Sequence, residues 1–360
     1  MPSNISNLIQ IKRYDSSIIV RKDRLMRLLR LHGKRIGIDL GTESILVAVK
    51  SEGIVINEPS IIAIEKDSNE ILAVGAEAKD MIGKTPDKID ALRLLEHAGI
   101  ANLMATEMIV KDIINRLDKQ YNIGRPEVMI NVHAGITDLE KRAVLRLVSD
   151  TGVRGACLIE EPLAAAIGAG LDINVPEANM VVDLGSGVTE TAVISLGKIV
   201  TSDSIKIAGD DFDQAIIDFV KKNMNMEIGK NAAERIKIEL ISTKPVLGKK
   251  LDIKGRDLVT GFPKTATITA FQVYDAVRDL FDKIVQMIKA TIERTPPELA
   301  SDIQEKGIVL TGGGACIDKM DVYLKENLRI PVRVAERPLE TVILGMIKII
   351  EDNERFKKYV

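Results

Sequence analysis

Two short segments of this chain combine an aspartate with a glycine turn. In the segment Met180–Glu190, an apolar run leads into Asp183 and then into the turn Gly185, Ser186 and Gly187. Glycines in a turn let backbone N–H groups converge on an anion, and a carboxylate at the end of a strand can hold Mg2+ through water. The pattern predicts a phosphate loop with a Mg2+-associated carboxylate. An ordinary β-hairpin with a glycine turn explains the segment equally well.

The same pattern occurs a second time, about one domain length earlier in the chain. In Arg35–Val49, an apolar run leads into Asp39, Leu40, Gly41 and Thr42, and another apolar run follows. Repetition at this separation indicates a duplicated domain rather than a solenoid, whose repeats are shorter. Two such hairpins that face each other would hold a polyphosphate from both sides.

The composition is that of a globular protein with little net charge. A chain of 360 residues is long enough for two domains, each with its own core. The net charge of −2, the absence of Trp and the aromatic content of 3% argue against a general nucleic-acid binder. We therefore expect no nucleic-acid partner.

Sequence features relevant to the cellular compartment predict a cytoplasmic protein. No apolar run approaches the length of a membrane span, and no signal-peptide pattern is present at the N-terminus. Cys157 and Cys316 lie far apart and fit no metal-binding spacing. We expect both to be buried, reduced thiols.

Residues 1–33 are predicted to form an extension that contains a short amphipathic helix in residues 17–33, with Gly33 as its stop. The apolar face consists of Ile18, Leu25, Met26 and Leu29, and the opposite, basic face of Arg24, Arg27 and Arg30. Such a helix is typical of a membrane-surface or partner-binding element. A helix docked on its own domain, with its basic face in solvent, is equally consistent with the pattern.

From residue 34 onward, strands and helices alternate, which predicts an α/β fold of two similar halves with a cleft between them. Thr137 is a good N-cap, and Glu140 is placed to complete its capping box. The predicted helices are Ala76–Ile82, Ala105–Gln120, Asp138–Asp150, Glu160–Gly168, Asp211–Met224, Ala232–Leu240 and Gln272–Ile292. The predicted strands are Ile54–Ile56, Ser60–Ile64, Glu127–Val132, Ala156–Ile159 and Gly307–Leu310, with a strand-rich segment over Leu251–Thr269. Gly312–Gly314 is expected to open a further helix.

Longer strings resemble the MreB family of bacterial actin homologues over roughly residues 34–350. They are Ile38–Thr42, Asn57–Ser60, Leu158–Pro162, Ala164–Ala169, Ile207–Asp210, Ala233–Glu239, Thr295–Leu299 and Val309–Gly314. The resemblance implies an actin-like fold, two similar domains of mixed sheet plus helices around a nucleotide cleft, with ATP and Mg2+ bound in it. It also implies self-association into filaments at the inner face of the cytoplasmic membrane.

The same resemblance implies the domain limits. Domain I is expected over residues 34–175 with a subdomain at about 63–95, and domain II over residues 176–340 with a subdomain at about 212–271. Residues 341–360 are expected to return to domain I.

Residue by residue, the resemblance implies three groups of site residues. Nucleotide contacts are expected from Gly41, Thr42, Ser44, Gly185, Ser186, Gly187, Gly209, Glu234, Lys237, Gly312, Gly313 and Gly314. Asp39 and Asp183 resemble the Mg2+-associated carboxylates, and Glu161 resembles the glutamate that positions the attacking water. The spacing of Glu234 and Lys237 puts both on one helix face, where one nucleoside could touch them. Without the surrounding match, that pair would be interpreted as a surface ion pair.

The departures from the family pattern cluster around the same cleft. Val188 stands where the family has the threonine that partners the water-positioning glutamate. Thr189 is adjacent, but successive strand residues point to opposite faces, so it cannot simply replace that threonine. We therefore expect nucleotide binding to be kept and hydrolysis to be slow.

Three further changes accompany Val188. Glu43 and Ser44 replace an Ala-Asn pair, His97–Asn102 replaces an Asp-Gly-Val-Ile-Ala-Asp segment, and His133 and Ala134 replace a Pro-Ser pair. The isolated histidines fit a ligand role or, more simply, a hydrogen-bonded structural role. In the family, an apolar loop before the central strand inserts into membrane, and here Tyr121–Pro126 offers only Tyr121 and Ile123.

These features predict an ATP-binding, filament-forming actin homologue with weak ATPase activity, which acts in cell shape or in positioning an intracellular structure. A non-polymerising ATP-binding regulator is the main alternative, because filament contacts are broad surfaces without compact motifs. A small-molecule kinase would need an aspartate base near the γ-phosphate, and no sugar-kinase string supplies one. A chaperone would need a further peptide-binding domain, for which we expect no room before Val360.

The amphipathic pattern generates a test of membrane attachment. Deleting residues 1–33 is expected to lower binding to anionic liposomes while leaving ATP-driven assembly largely intact, because the basic face supplies the attraction to lipid. Liposome co-sedimentation of the full and shortened chains measures the difference. Unchanged liposome binding after the deletion would favour the helix docked on its own domain.

Overall fold

Two five-stranded mixed sheets form the frame of the computed structural model, which describes residues 33–84, 86–96 and 99–358. The strands are β1 Arg35–Leu40, β2 Ser44–Val49, β3 Gly53–Pro59, β4 Ile61–Glu65, β5 Ile71–Val74, β6 Ile89–Arg93, β7 Leu95–Glu96, β8 Gly99–Ile100, β9 Glu127–Val132, β10 Gly155–Glu160, β11 Asn179–Leu184, β12 Thr189–Ser195, β13 Lys198–Ile205, β14 Met226–Glu227, β15 Lys250–Asp257, β16 Pro263–Thr269, β17 Ile308–Thr311 and β18 Val332–Val334.

Helices cover the faces of these sheets and fill the space between them. The α-helices are α1 Ala76–Met81, α2 Leu103–Tyr121, α3 Asp138–Ser149, α4 Glu161–Gly168, α5 Gly209–Met224, α6 Lys230–Leu240, α7 Ala270–Glu293, α8 Pro297–Lys306, α9 Met320–Leu328, α10 Thr341–Glu351 and α11 Asn353–Phe356. Two short 3-10 helices span Gly313–Cys316 and Pro338–Glu340. No helix in the described part of the chain is both long enough and apolar enough to cross a membrane.

The two large sheets repeat one topology. The first has the order β10-β9-β1-β2-β3 and the second the order β13-β12-β11-β17-β18. In each, three consecutive strands pair antiparallel, and two later strands run parallel to the first of the three. The two Asp-Leu-Gly segments therefore occupy equivalent positions, at the β1–β2 turn and the β11–β12 turn. The repeated sequence pattern reflects a repeated architecture.

Helices α4 and α10 lie between the two sheets. One buried cluster contains Leu46 and Met129 of the first sheet, Val181 and Ala192 of the second, and the apolar faces of both helices. Strands β1 and β11 are almost entirely buried because helices cover them on both sides. Each buried aliphatic side chain of this kind contributes about 1.5–3 kcal/mol to folding, so the central layer holds the two halves together.

Local patterns predicted the elements well. The observed ends of the seven predicted helices differ from the predicted ends by at most two residues. The capping box at α3 is present, with the Thr137 N–H donating to Glu140 Oε2 at 2.9 Å. The triple glycine opens a 3-10 helix at Gly313 rather than a longer α-helix, since glycine is a poor helix former.

Two sequence expectations were wrong. Cys316 is exposed, because it follows the glycine turn at the edge of the cleft, whereas Cys157 is buried as expected. Ile123 is buried, and its carbonyl accepts the Lys34 N–H at 3.1 Å. The loop before Pro126 therefore does not present Ile123 to a membrane. The predicted N-terminal helix, apart from its stop at Gly33, and His97 lie outside the described residues.

Candidate functional site

The two Asp-Leu-Gly turns have the same backbone geometry. The Gly41 N–H donates to the Ser44 carbonyl at 3.0 Å, and the Gly185 N–H donates to the Val188 carbonyl at 3.1 Å. A Cβ on either glycine would lie 2.8 Å from that carbonyl oxygen. Any other residue would push the turn open, so the glycines fix two tight, equivalent loops.

The second turn approaches the first so closely that only glycine fits at position 187. A Cβ on Gly187 would lie 2.5 Å from Thr42 Oγ1. On its other side the second turn packs on the start of α5, where the Asp210 N–H donates to the Ser186 carbonyl at 2.8 Å. A Cβ on Gly209 would lie 3.2 Å from Ser186 Cα. The two turns and the helix start thus enclose one narrow space.

That space opens into a cleft of about 800 Å³ between the two sheets, within the usual size range of small-molecule sites. All of the residues predicted to form the site line this cleft: Asp39, Gly41, Thr42, Ser44, Glu161, Asp183, Gly185, Ser186, Gly187, Gly209, Glu234, Lys237, Gly312, Gly313 and Gly314. The structure thus brings all of these residues together around one cleft, whereas the role of each residue stays a prediction.

Four carboxylates lie at or near the floor of the cleft, and none of them forms an ion pair within the described residues. Asp39, Glu161 and Asp183 line the cleft, and Glu190 is buried nearby on β12. Burial raises the pKa of Asp39 well above its usual value, and the charges of Glu161 and Asp183 raise it further. Burial, followed by the charge of Glu161, also raises the pKa of Asp183 and of Glu190. Such a floor favours either bound protons or a bound cation.

The floor fits Mg2+ held mainly through water. Among the described residues, no group of three or more His, Cys, Asp or Glu side chains is arranged to hold a metal directly. Mg2+ usually keeps several of its waters and needs only one or two carboxylates plus phosphate oxygens. Asp39 and Asp183, one from each turn segment, are the carboxylates that could hold the hydrated Mg2+.

Asn131 connects the first turn to Glu161. Its Oδ1 accepts the Leu40 N–H at 2.8 Å, and its Nδ2 donates to Glu161 Oε2 at 3.2 Å. Burial raises the pKa of Glu161, although the Asn131 hydrogen bond and the nearby His133 act to lower it. His133 also lines the cleft, with Nδ1 3.0 Å from the Ala134 carbonyl. Asn131 was not predicted as a site residue from the sequence. Its polar side chain near the end of the apolar strand β9 was the feature that could have indicated it.

Consecutive residues at the start of strand β12 have different surroundings. Val188, just before β12, lines the cleft, whereas the buried Thr189 hydroxyl donates to the Ile207 carbonyl at 2.6 Å. Glu190 Oε1 accepts the Ala134 N–H at 3.0 Å and so ties the second sheet to the loop after β9. Thr189 is therefore unable to take the place of a threonine at position 188. Sequence analysis also missed Glu190, whose partner is remote in the chain.

The side chains expected at the nucleoside end have partners other than each other. Lys237 Nζ donates to the Gly209 carbonyl at 3.0 Å and pairs with Asp213 Oδ2 at 2.8 Å. Burial raises the pKa of Asp213 to about 6 despite the opposing charge of Lys237. Glu234 pairs with Lys79 of the other half at 3.1 Å. Glu234 and Lys237 therefore do not form the surface ion pair with each other that was the alternative interpretation.

The triple glycine closes the remaining side of the cleft. Gly312 has a φ of +77°, and a Cβ there would lie 2.4 Å from Asp183 Oδ1. A Cβ on Gly314 would lie 2.6 Å from Leu184 Cβ. Because only glycine can approach this closely with a positive φ, the turn rests directly on the second Asp-Leu-Gly segment.

Comparisons with known sequences agree with this architecture. A family model described as MreB/Mbl protein matches residues 33–358. The chain is 43% identical over 329 residues to the cell shape-determining protein Mbl of Bacillus subtilis (strain 168), covering 91% of this chain and 99% of that one. It is 42% identical over 322 residues to the cell shape-determining protein MreB of Escherichia coli (strain K12), covering 88% and 93%.

Solved structures are similar over the same extent. MreB5 of Spiroplasma citri bound to ADP gives a TM-score of 0.86 at 34% identity, covering 91% of this chain and 98% of that one. The same protein bound to AMPPNP gives 0.85. A MamK double helical filament gives 0.75 at 20% identity, covering 89% and 99%, and shows the fold alone. The chain thus has the actin-like fold that its sequence predicts, and it belongs to the MreB/Mbl family.

Proposed function

We propose that this chain binds ATP with Mg2+ in the cleft and assembles into filaments, as a cytoskeletal protein of the cell shape-determining type. The observation that carries the proposal is the pair of equivalent glycine turns that face each other across the cleft. Similarity to MreB5, which has been solved with ADP and with AMPPNP, supports a nucleotide as the ligand.

In this proposal the phosphates lie between the two turns. Backbone N–H groups of glycine turns, together with the N-terminus of α5, favour anionic oxygens. When bound, Mg2+ neutralises phosphate charge and the charges of Asp39 and Asp183. Glu234 and Lys237, on one face of α6, would contact the nucleoside, with the triple glycine beside it.

The proposed hydrolysis is slow because one of two water-orienting groups is missing. Glu161 can accept a hydrogen bond from the attacking water, and Asn131 holds its carboxylate. The Val188 side chain has no hydroxyl, and the Thr189 hydroxyl is engaged with Ile207. Phosphoryl transfer depends mostly on positioning and charge stabilisation, so a poorly held water lowers the rate without affecting binding.

Membership of the family supports the proposed self-association and location. Filaments of the chain would lie in the cytoplasm at the inner face of the membrane, with residues 17–33 as the candidate contact with lipid. Similarity to the cell shape-determining proteins Mbl and MreB supports control of cell shape as the role. A non-polymerising regulator would bind ATP equally well, so assembly has to be measured together with binding.

The first prediction concerns Asp183→Asn. It is expected to weaken Mg-ATP binding about tenfold or more, because it removes one carboxylate associated with the cation; tenfold corresponds to about 1.4 kcal/mol. ATP-dependent pelleting should fall in parallel. Burial already disfavours the charged carboxylate, so thermal stability should be unchanged or higher. Calorimetric titration, pelleting and thermal unfolding are the three measurements.

Asp279→Asn is the matched control, since the Asp279 side chain is 84% exposed. Equal ATP affinity for Asp183→Asn and the control would remove Asp183 from the site. Normal ATP binding by the wild-type chain without any ATP-dependent pelleting would instead favour the non-polymerising regulator.

The second prediction concerns Val188→Thr. Phosphate release per polymerised subunit should rise about tenfold, less than the ~10²–10⁴-fold that a positioned acid–base group contributes, because only one of the two groups that orient the water is restored. ATP affinity should stay the same, since valine and threonine are nearly isosteric and the turn glycines are unchanged. Adding Glu161→Ala should abolish the gain together with the remaining hydrolysis. A coupled phosphate assay on pelleted protein measures these rates.

Val200→Thr provides the control, because Val200 lies on β13 of the same sheet and is 43% exposed. A rate for Val188→Thr no higher than that of the control would contradict the explanation. In that event Ser44, His97 and Asn102, which also depart from the family pattern, would be tested next.

A further inference from the structure

Five charged side chains span the mouth of the cleft, and we call them the mouth network. Glu43 in the first turn, Lys79 on α1 and Arg93 at the end of β6 belong to the first half of the structure. Asp210 on α5 and Glu234 on α6 belong to the second half. The network therefore joins the two halves of the structure, and two of its members, Glu43 and Glu234, also line the cleft.

Glu43 is the residue that connects the two arms of this network. Lys79 Nζ lies 2.6 Å from Glu43 Oε1 and 3.1 Å from Glu234 Oε2. Arg93 lies 3.5 Å from Glu43 Oε2, and its NH1 lies 3.1 Å from both carboxylate oxygens of Asp210. Each cation is thus held between Glu43 on its own side and a carboxylate across the cleft.

These ion pairs are better shielded than ordinary surface pairs. Their side chains are only 19–30% exposed, so solvent and salt screen them less. Burial acts to lower the pKa of Lys79, but hydrogen bonds and charges from Glu43 and Glu234 outweigh it, and the pKa is raised. The lysine is therefore firmly charged within the network.

The backbone also fixes Glu43 in place. It lies in the same turn as Gly41 and Thr42, and its carbonyl accepts the Ser60 N–H at 2.9 Å. The family pattern that this chain resembles has alanine here, which carries no charge to hold either cation. Without Glu43, Lys79 and Arg93 are long, flexible side chains whose ordering in a cross-cleft pair costs more conformational entropy.

We propose that Glu43 is a positioning residue that latches the cleft closed, by holding Lys79 and Arg93 against Glu234 and Asp210, and so slows the release of bound nucleotide. The inference rests on the proposed function, because it takes ATP as the ligand. Release requires the halves to separate at the mouth, and both cross-cleft pairs must break first. Glu43 makes each pair harder to break without touching the phosphates.

Glu234 gives the latch a second consequence. Both of its carboxylate oxygens lie within 3.2 Å of Lys79 Nζ, and the same side chain lines the cleft. A carboxylate held on one side by Lys79 has less freedom to leave the nucleoside. The network therefore couples closure of the mouth to the nucleoside end of the site.

The test is the release rate of a fluorescent ATP analogue from the full chain, measured in a stopped-flow chase with excess ATP and Mg2+. Glu43→Gln keeps the size of the side chain and removes its charge, and release is expected to become about five- to tenfold faster, in the range of networked ion pairs. Raising the salt concentration should accelerate the wild-type chain toward the variant. Glu77→Gln, at an exposed position on α1, is the matched control.

A double variant separates the latch from general damage to the fold. With Lys79→Gln already in place, Glu43→Gln should add less than it does alone, because the nearer of its two cationic partners is gone and only the longer contact with Arg93 remains. Glu43→Asp, which keeps the charge on a shorter stem, should recover part of the slow release. Equal release from the wild-type chain and Glu43→Gln, or equal acceleration by Glu77→Gln, would overturn the latch. Failure of the wild-type chain to bind the analogue would instead overturn the proposed function.

Discussion

Contact between the backbones of α4 and α10 sets the spacing of the whole structure. A Cβ on Gly168 would lie 1.8 Å from the Thr341 carbonyl oxygen, and a Cβ on Gly345 would lie 1.9 Å from that of Ala164. The two helix backbones can therefore approach this closely only at these glycines, and side chains of both large sheets pack on the pair. A single added methyl group would have to push the helices, and with them the two sheets, apart.

The fixed spacing brings charged groups of both halves together at the floor and at the mouth of the cleft. At the floor, burial and then the charges of neighbouring carboxylates raise the pKa of Asp39 and of Asp183, so negative charges from the two halves oppose one another there. At the mouth, Lys79 and Arg93 draw the halves together through ion pairs. A bound cation with phosphates would convert the repulsion at the floor into attraction, so both ends of the cleft would then favour closure. Glu161, at the start of α4, is one of the carboxylates at the floor.

Local chemistry was predictable from the sequence, and remote contacts were not. Strand periodicity and the repeated Asp-Leu-Gly segments are local signals, and they predicted the two equivalent turns. The prediction that Glu161 positions the attacking water came only from the resemblance to a family. Asn131 and Glu190 were missed because their partners lie elsewhere in the chain. Lys79 contacts Glu43, 36 residues away in the chain, and Glu234, 155 residues away. No pattern within a single helix or strand predicts contacts between residues so far apart.

The most direct test of this account is a crystal structure of the chain with Mg-AMPPNP. The account predicts phosphate oxygens between Gly41–Thr42 and Gly185–Gly187, with Mg2+ beside Asp39 and Asp183 and its remaining ligands mostly water. The nucleoside is expected between α6 and the triple glycine. A nucleotide bound against one turn only, or outside the space between the two sheets, would contradict the central claim that the paired turns hold the ligand together.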